Sequence, residues 1–412
     1  MTDKCTVQVS EKAKVLMGQS PSSSACSENG EGLPFIQGNA EFGSRHPSPI
    51  LFCSAPTRIA EAGDLLLSVR APVGELNQAT ERTVIGRGLS AIRFEPAQQR
   101  FAWHAVKFAA PALNRVAQGS TFAAVSREDV ERLELPWHGE ANLRIAAVLD
   151  TVDAAIAKTE AVIAKLRQVR AGLLHDLLTR GLDEQGQLRD PGAPPEQFQD
   201  SPLGRIPREW TVAPLSHFIA SAEYGISTPL CSEGTLPVLR MNNLAGGEAC
   251  LAEIKFATCS VPKNLFLRPG DVLFNRTNSY EHVGRTGIWR GQFLNATFAS
   301  YLVRLNPVAG RLSSEFLNLV LNMPESQQKM RRYATPAVQQ VNINPTSLQL
   351  MLVAVPNLVA EQQRIVEVAN EGARNNVMIR AELEKLTALK SGLMTDLLTG
   401  RVRVPEHIEG SP

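Results

Sequence analysis

The sequence predicts an α+β fold: two repeated domains joined by two long helices that form an intramolecular antiparallel coiled coil, the halves related as a pseudo-two-fold repeat. Three observations carry this expectation. The chain has 412 residues, more than one ordinary core accommodates. Residues 144–179 laid without gaps on residues 364–399, an offset of 220, give 12 identities in 36 positions. Composition alone would give roughly two or three. Both copies of that stretch carry an apolar seam at helical spacing.

The identical pairs include Arg144/Arg364, Ile145/Ile365, Lys165/Lys385, Leu166/Leu386, Gly172/Gly392 and Leu173/Leu393, and each copy ends on Asp-Leu-Leu-Thr (176–179, 396–399). Upstream, Pro136 pairs with Pro356 at the same offset. Earlier still, Leu33-Pro34-Phe35-Ile36 corresponds to Leu236-Pro237-Val238-Leu239, and Gly63-Asp64-Leu65-Leu66-Leu67 to Gly270-Asp271-Val272-Leu273-Phe274. Each copy therefore reads as a variable domain followed by a long helix. The expected division is 1–140 for the first domain, 141–180 for a central helix and 181–210 for a linker rich in Pro, Gly, Gln and Asp. The second domain follows at 211–355, a distal helix at 356–400 and a tail at 401–412. Within the domains, β-like runs fall at 65–69, 84–94, 238–241, 272–275 and 300–305, with helical stretches near 98–109 and 314–333.

Stepping alternately by four and three from Ile145 meets Leu149, Val152, Ile156, Thr159, Ile163, Leu166, Arg170, Leu173 and Leu177. The same register in the second copy meets Ile365, Ala369, Gly372, Asn376, Ile379, Leu383, Leu386, Lys390, Leu393 and Leu397. A sustained repeat of this kind is a coiled-coil seam, and its polar members (Arg170, Lys390, Asn376) are of the kind that fix register. Each stripe needs a cover, and the other copy within the same chain is the natural one.

Composition excludes several classes. Hydrophobic residues make up 43% and charged residues 20%, as in a globular protein. No apolar run reaches the ~20 residues that a bilayer crossing needs, and the first residues hold no apolar leader, so no membrane association and a cytoplasmic location are expected. The six cysteines form no Cys-x-x-Cys pair, which argues for thiols and against zinc. A net charge of +1 hides an uneven distribution: residues 211–355 carry 12 Lys and Arg against 8 Asp and Glu, whereas 181–210 is acidic. There is no phosphate-binding Gly-x-x-x-x-Gly-Lys-Ser/Thr loop, no adenine-methyltransferase Pro-Pro-aromatic motif and no His-Glu-x-x-His. No catalytic residue, metal or cofactor is therefore expected in this chain.

Several motifs resemble one family. They are Met17-Gly-Gln-Ser-Pro21, Gly32-Leu-Pro-Phe-Ile-Gln-Gly38, Pro56-Thr-Arg-Ile59, and Gly63-Asp-Leu-Leu-Leu-Ser-Val-Arg-Ala-Pro-Val-Gly74. Ser201-Pro-Leu-Gly-Arg-Ile-Pro207 with Trp210, Glu361-Gln-Gln-Arg-Ile365 and Leu393-Met-Thr-Asp-Leu-Leu-Thr-Gly400 complete the set. Their order within a repeat resembles the specificity subunits of Type I restriction-modification systems. The resemblance implies two target-recognition domains reading the halves of a bipartite site on double-stranded DNA. It implies two modification subunits that methylate adenine with S-adenosylmethionine, and restriction subunits that use ATP and magnesium. The chain itself would be non-catalytic. A departure lies in the first copy, which has no counterpart of the 204–210 lead-in and only a weak echo, Ala141-Asn-Leu, of Glu361-Gln-Gln. The rival reading is a tandem-domain coiled-coil scaffold for protein partners without sequence-specific DNA binding.

Base reading needs side chains with paired donors and acceptors, Arg for guanine and Asn or Gln for adenine. Candidate DNA-binding residues are Gln37, Asn39, Arg45 and Arg70 in the first domain, with Ser68 as a phosphate donor. In the second they are Arg240, Asn242, Asn243, Asn275, Arg276, Asn278 and Arg285. Gly119-Ser120-Thr121 and residues 335–340 are candidates for approaching phosphate, and Lys329, Arg331 and Arg332 for backbone contact.

Overall fold

A computed structural model of the chain describes residues 6–117, 124–192, 197–337 and 340–405, apart from the side chains of 337 and 373–377. The chain divides into two compact units, residues 1–162 with 380–412, and residues 163–379.

The first unit is organised by a four-stranded antiparallel sheet in the order Ala13–Met17, Leu89–Phe94, Leu65–Ser68, Leu76–Gln78. Its inner strand, Leu65–Ser68, is buried on both faces. Successive strand side chains point to opposite faces. Leu65 and Leu67 accordingly join the larger core with Phe94, Phe101 and Trp103, while Leu66 joins a smaller one with Ile36, Ile85 and Leu89. That smaller core is shared with a five-stranded sheet, Cys26–Ser27, Leu51–Cys53, Leu33–Ile36, Thr83–Ile85, Ile59–Ala60. The helix Gln99–Ala109 packs its Phe101, Trp103 and Val106 face into the larger core.

The second unit repeats this plan with insertions. A six-stranded sheet runs Ile219–Tyr224, Leu302–Pro307, Val272–Asn275, Thr286–Ile288, Gly247–Ala249, Leu244–Ala245. Val272 and Phe274 enter one core and Leu273 another, as in the first unit. A three-stranded sheet of Thr277–Asn278, Gln340–Ile343 and Ala334–Ala337 is added. The expected helix at 314–333 is two helices, Ser314–Leu321 and Pro324–Arg331. Pro324 supplies no amide hydrogen to continue the first and is well placed to begin the second.

Strand register makes the repeat explicit where sequence alone is loose. Leu89 lies opposite Ser68, and Leu302 opposite Asn275. Ile36 pairs in parallel with Ile85, and Leu239 with Phe298. Thr6 faces Pro136, and Trp210 faces Pro356. These pairings match Met17 to Tyr224, Gln37 to Arg240, and Ser68 to Asn275. Gly18 and Gly225 become equivalents too, and a Cβ on either would lie 2.1 Å from a backbone carbonyl oxygen. The close approach of two chain segments demands glycine there.

The two long helices span Ala141–Thr179 and Val359–Leu398. All the expected seam positions whose side chains are described are buried or half-buried. In the first unit, Ile145, Ala146 and Leu149 share a core with Leu397 and Leu398, and Asp153 pairs with Lys390. The His138 ring nitrogen Nε2 lies 3.0 Å from the Leu398 carbonyl oxygen, so the two stretches run antiparallel in that unit. In the second unit, Leu177 and Leu178 share a core with Ile365, Val366 and Ala369.

The segment expected as a linker is partly folded. Phe198–Ser201 and Gly204–Pro207 form a hairpin, and Leu182, Phe198, Ile206 and Trp210 are buried. The cause is Glu361, a buried carboxylate that accepts hydrogen bonds from the Leu182 amide, Arg189 and the Trp210 indole. A Pro- and Gly-rich composition conceals these few anchoring residues. Ala141 stands at the repeat-equivalent position and can provide no such acceptor.

Candidate nucleic-acid interface

Polar residues emerge in the second unit where the strand Val272–Asn275 ends and the chain turns into Thr277–Asn278. The Arg276 amide donates to the Tyr301 carbonyl oxygen (3.0 Å), and its own carbonyl oxygen accepts from the Ile343 amide (2.8 Å). Its guanidinium sits over the Tyr224 ring, 5.0 Å from the centroid, a cation–π arrangement. Tyr280, four residues after Arg276, is covered by Arg331 (5.7 Å), which also reaches the Glu281 carbonyl oxygen (3.4 Å). Tyr224, Tyr280 and Tyr301 are each 46–59% exposed. The chain has four tyrosines, and three of them stand half-exposed, Tyr224 at the end of its strand and Tyr280 and Tyr301 in turns. Arginines interleaved with open aromatic faces suit nucleic acid, since the cation meets phosphate or guanine and the ring meets sugar or base.

The remaining candidates in this unit separate into two groups. Asn242 is exposed, and Arg285 and Asn278 are half-buried. Asn278 caps the next residue by accepting from the Ser279 amide (2.8 Å). Arg240, half-buried, donates to the Glu253 carbonyl oxygen (2.5 Å). Asn243 and Asn275 are corrections to the expected set. Asn243 is fully buried; its amide donates to the Cys250 and Ala252 carbonyl oxygens and its side-chain oxygen accepts from the Arg240 amide. Asn275 is equally buried and donates to the Met241 carbonyl oxygen (2.9 Å). Both hold loops in place, and neither side chain is open to a base.

In the first unit, Gln37 and Arg70 are exposed. Asn39 lines a small cleft with Ser44, Glu75 and Lys107. Arg45 is engaged: its Nε donates to Gln78 (3.3 Å), and its guanidinium covers Trp103 (4.9 Å), with the Lys107 ammonium also near that ring (5.3 Å). Desolvation, then repulsion from Lys390, holds the Lys107 ammonium below its ordinary range. Arg45, Lys107 and Lys390 thus give this unit its own basic cluster. Ser68 is a further correction, being 1% exposed. Its hydroxyl donates to the Pro72 carbonyl oxygen (2.7 Å) and accepts from the Glu75 amide (2.9 Å), pinning a tight loop and leaving nothing for phosphate. The Gly119-Ser120-Thr121 candidate and positions 338–339 lie outside the described residues.

Sequence reasoning passed over Tyr224, Tyr280 and Tyr301. For Tyr280 and Tyr301 the signal available was a turn position near arginines in sequence, whereas nothing local to Tyr224, at the end of its strand, marks it as open. Among the described residues, no three His, Cys, Asp or Glu side chains group where they could hold a metal ion, and no helix is long and apolar enough to cross a membrane.

Residues 1–168 match the family model of the Type I restriction modification DNA specificity domain. A type I restriction enzyme MjaX specificity subunit of Methanocaldococcus jannaschii is 34% identical over 169 residues, which are 40% of this chain and 40% of that relative's length. Two solved structures align along nearly the whole chain. One is the S subunit of a Type-I restriction-modification system from M. genitalium, with TM-score 0.55, 15% identity and 94% of each chain covered. The other belongs to a type I R-M system solved for its complex assembly and conformational transition, with TM-score 0.59, 18% identity, and 96% of this chain and 98% of that one covered. At such identities the structural likeness is one of fold. The first unit thus carries a DNA specificity domain of the type I class.

Proposed function

We propose that this chain is the DNA-reading specificity subunit of a type I restriction-modification complex, each unit reading one half of a bipartite target on double-stranded DNA. The observation that supports this best is the internal repeat itself: two domains share strand registers and glycine contacts yet differ at matched loop positions, such as Gln37 against Arg240. Two scaffolds of one design carrying different polar side chains are what reading two different half-sequences requires. In this reading the two long helices form an antiparallel coiled coil that sets the spacing between half-sites. Adenine methylation then belongs to two modification subunits using S-adenosylmethionine, and cleavage to restriction subunits using ATP and magnesium. The chain contributes no catalytic group.

The test is reconstitution. Purified chain with DNA and S-adenosylmethionine should transfer no methyl group, and addition of the partner modification subunit should produce methylation at one split motif. Methyl transfer by the chain alone, or a reconstituted complex that methylates without sequence preference, would count against the proposal.

A further inference from the structure

We infer that Arg276, braced by the Tyr224 ring, is a specificity-determining residue that reads a guanine in the second half-site; this rests on the DNA-reading function proposed above. Strand register matches Arg276 to Val69 of the first unit. The backbone bonds there are the same in kind. The Val69 amide donates to the Gly88 carbonyl oxygen and its carbonyl oxygen accepts from the Val125 amide, as Arg276 does with Tyr301 and Ile343. Val69 is 2% exposed and packs into the core. The fold at this position therefore accepts a small apolar side chain, and the second unit places an arginine there instead.

That arginine is costly to keep. Its Nε is buried without a hydrogen-bond partner, as are those of Arg304 and five other arginines, and among the described residues no carboxylate pairs with Arg276 to offset that cost. Arg93, Arg189, Arg290 and Arg304, by contrast, are each paired with Asp or Glu. A buried donor left unsatisfied in a native structure calls for an explanation, and local rules are most often broken at functional sites. Tyr224, matched to Met17 in the first unit, supplies what remains: a ring face that fixes the guanidinium plane at 5.0 Å without consuming its donors. A planar fork held in orientation with free donors is the group that pairs bidentately with O6 and N7 of guanine. Arg331, already bonded to a carbonyl oxygen and resting on Tyr280, is placed as a neighbouring phosphate contact.

Sequencing of methylated sites in a host carrying the complete complex tests this with wild type, Arg276→Ala and Arg276→Lys. The expected wild-type motif has a guanine in its second half. Arg276→Ala should lose selection at that position alone, Arg276→Lys should keep it only in part because an ammonium reaches O6 and N7 without the rigid fork, and the first half should be unchanged. Unchanged first-half selection also serves as the folding control. Should a variant be inactive, binding by the intact complex to duplex containing 7-deazaguanine at that position decides. Wild type should weaken about 5- to 150-fold, and Arg276→Ala should not discriminate. An unaltered motif in Arg276→Ala would overturn the inference, as would a second half without guanine. In those outcomes a defined split motif survives. Its complete absence in wild type would instead overturn the DNA-reading function, and this inference with it.

Discussion

Replacing Glu361 by alanine should destabilise the protein more than any single surface change. Its carboxylate is 2% exposed and accepts from Arg189 Nη1 (2.6 Å), the Leu182 amide (3.2 Å) and the Trp210 indole (3.2 Å), while the Arg189 side chain is 11% exposed. Removing one member of a buried ion pair costs about 3–5 kcal/mol, because the other charge stays buried and uncompensated. The orphaned indole and amide fall within that figure, since the same collapse or hydration would relieve all three. At 1.4 kcal/mol per decade, the loss is roughly a hundred- to several-thousand-fold in the folding equilibrium. Glu361→Gln keeps an oxygen for the indole and the amide and strands only Arg189, so it should fall between wild type and alanine. The paired change Arg189→Met with Glu361→Met removes both charges and should be more stable than Glu361→Ala. Urea unfolding followed by tryptophan emission measures the series, and hydrogen exchange at the Leu182 amide reports the local effect. A Glu361→Ala loss below about 1 kcal/mol, or a double variant as unstable as the single one, would refute the reasoning.

Acid should weaken the fold through two carboxylates. Burial pushes Glu223 and Asp150 up, but hydrogen bonds and charge from Arg304 on the first, and from His104 and Arg100 on the second, hold both below the usual range. A carboxylate depressed in the folded state stabilises above its unfolded value, about pH 4, and loses that contribution as pH falls through the folded value. The stability gap between wild type and Glu223→Gln should therefore shrink below about pH 4, and a gap constant from pH 7 to pH 3 would contradict the ion-pair assignment. A second expectation concerns the helices as a ruler. Four residues inserted in each at matched, exposed mid-helix positions add about 6 Å and slightly more than one turn. The methylated motif should keep both half-sequences and gain one or two base pairs of spacer; an active insertion mutant with the original spacing would show that the helices do not measure the gap.

The helices were the most legible part of the sequence, because a seam such as Ile145, Leu149, Ile163, Leu177 repeats over many turns and a periodic burial requirement leaves a periodic trace. Strands buried on both faces, Leu65–Ser68 and Val272–Asn275, were legible as unbroken apolar runs. The linker was not, since its folding depends on Trp210 and Arg189 meeting a glutamate 151 and 172 residues away. The candidate interface was legible as a region and illegible by residue. Asn275 and Arg276 are adjacent in one polar run, yet one is fully buried and bonded to a carbonyl oxygen while the other rests on a tyrosine ring. A strand alternates its faces, and sequence does not say which face a following loop continues. Tyr224 escaped notice because its partner lies 52 positions later and is brought to it only by the shared neighbour strand Leu302–Pro307.

The central claim, that each unit reads its own half-site, is tested most directly by exchanging one unit's recognition domain. Residues 1–140 would be replaced by the corresponding segment of a specificity subunit with a different target, and the methylated sites of a host carrying the chimaeric complex sequenced. The account predicts a motif whose one half is new while the other half is retained. An active chimaera in which both halves changed, or neither did, would contradict it.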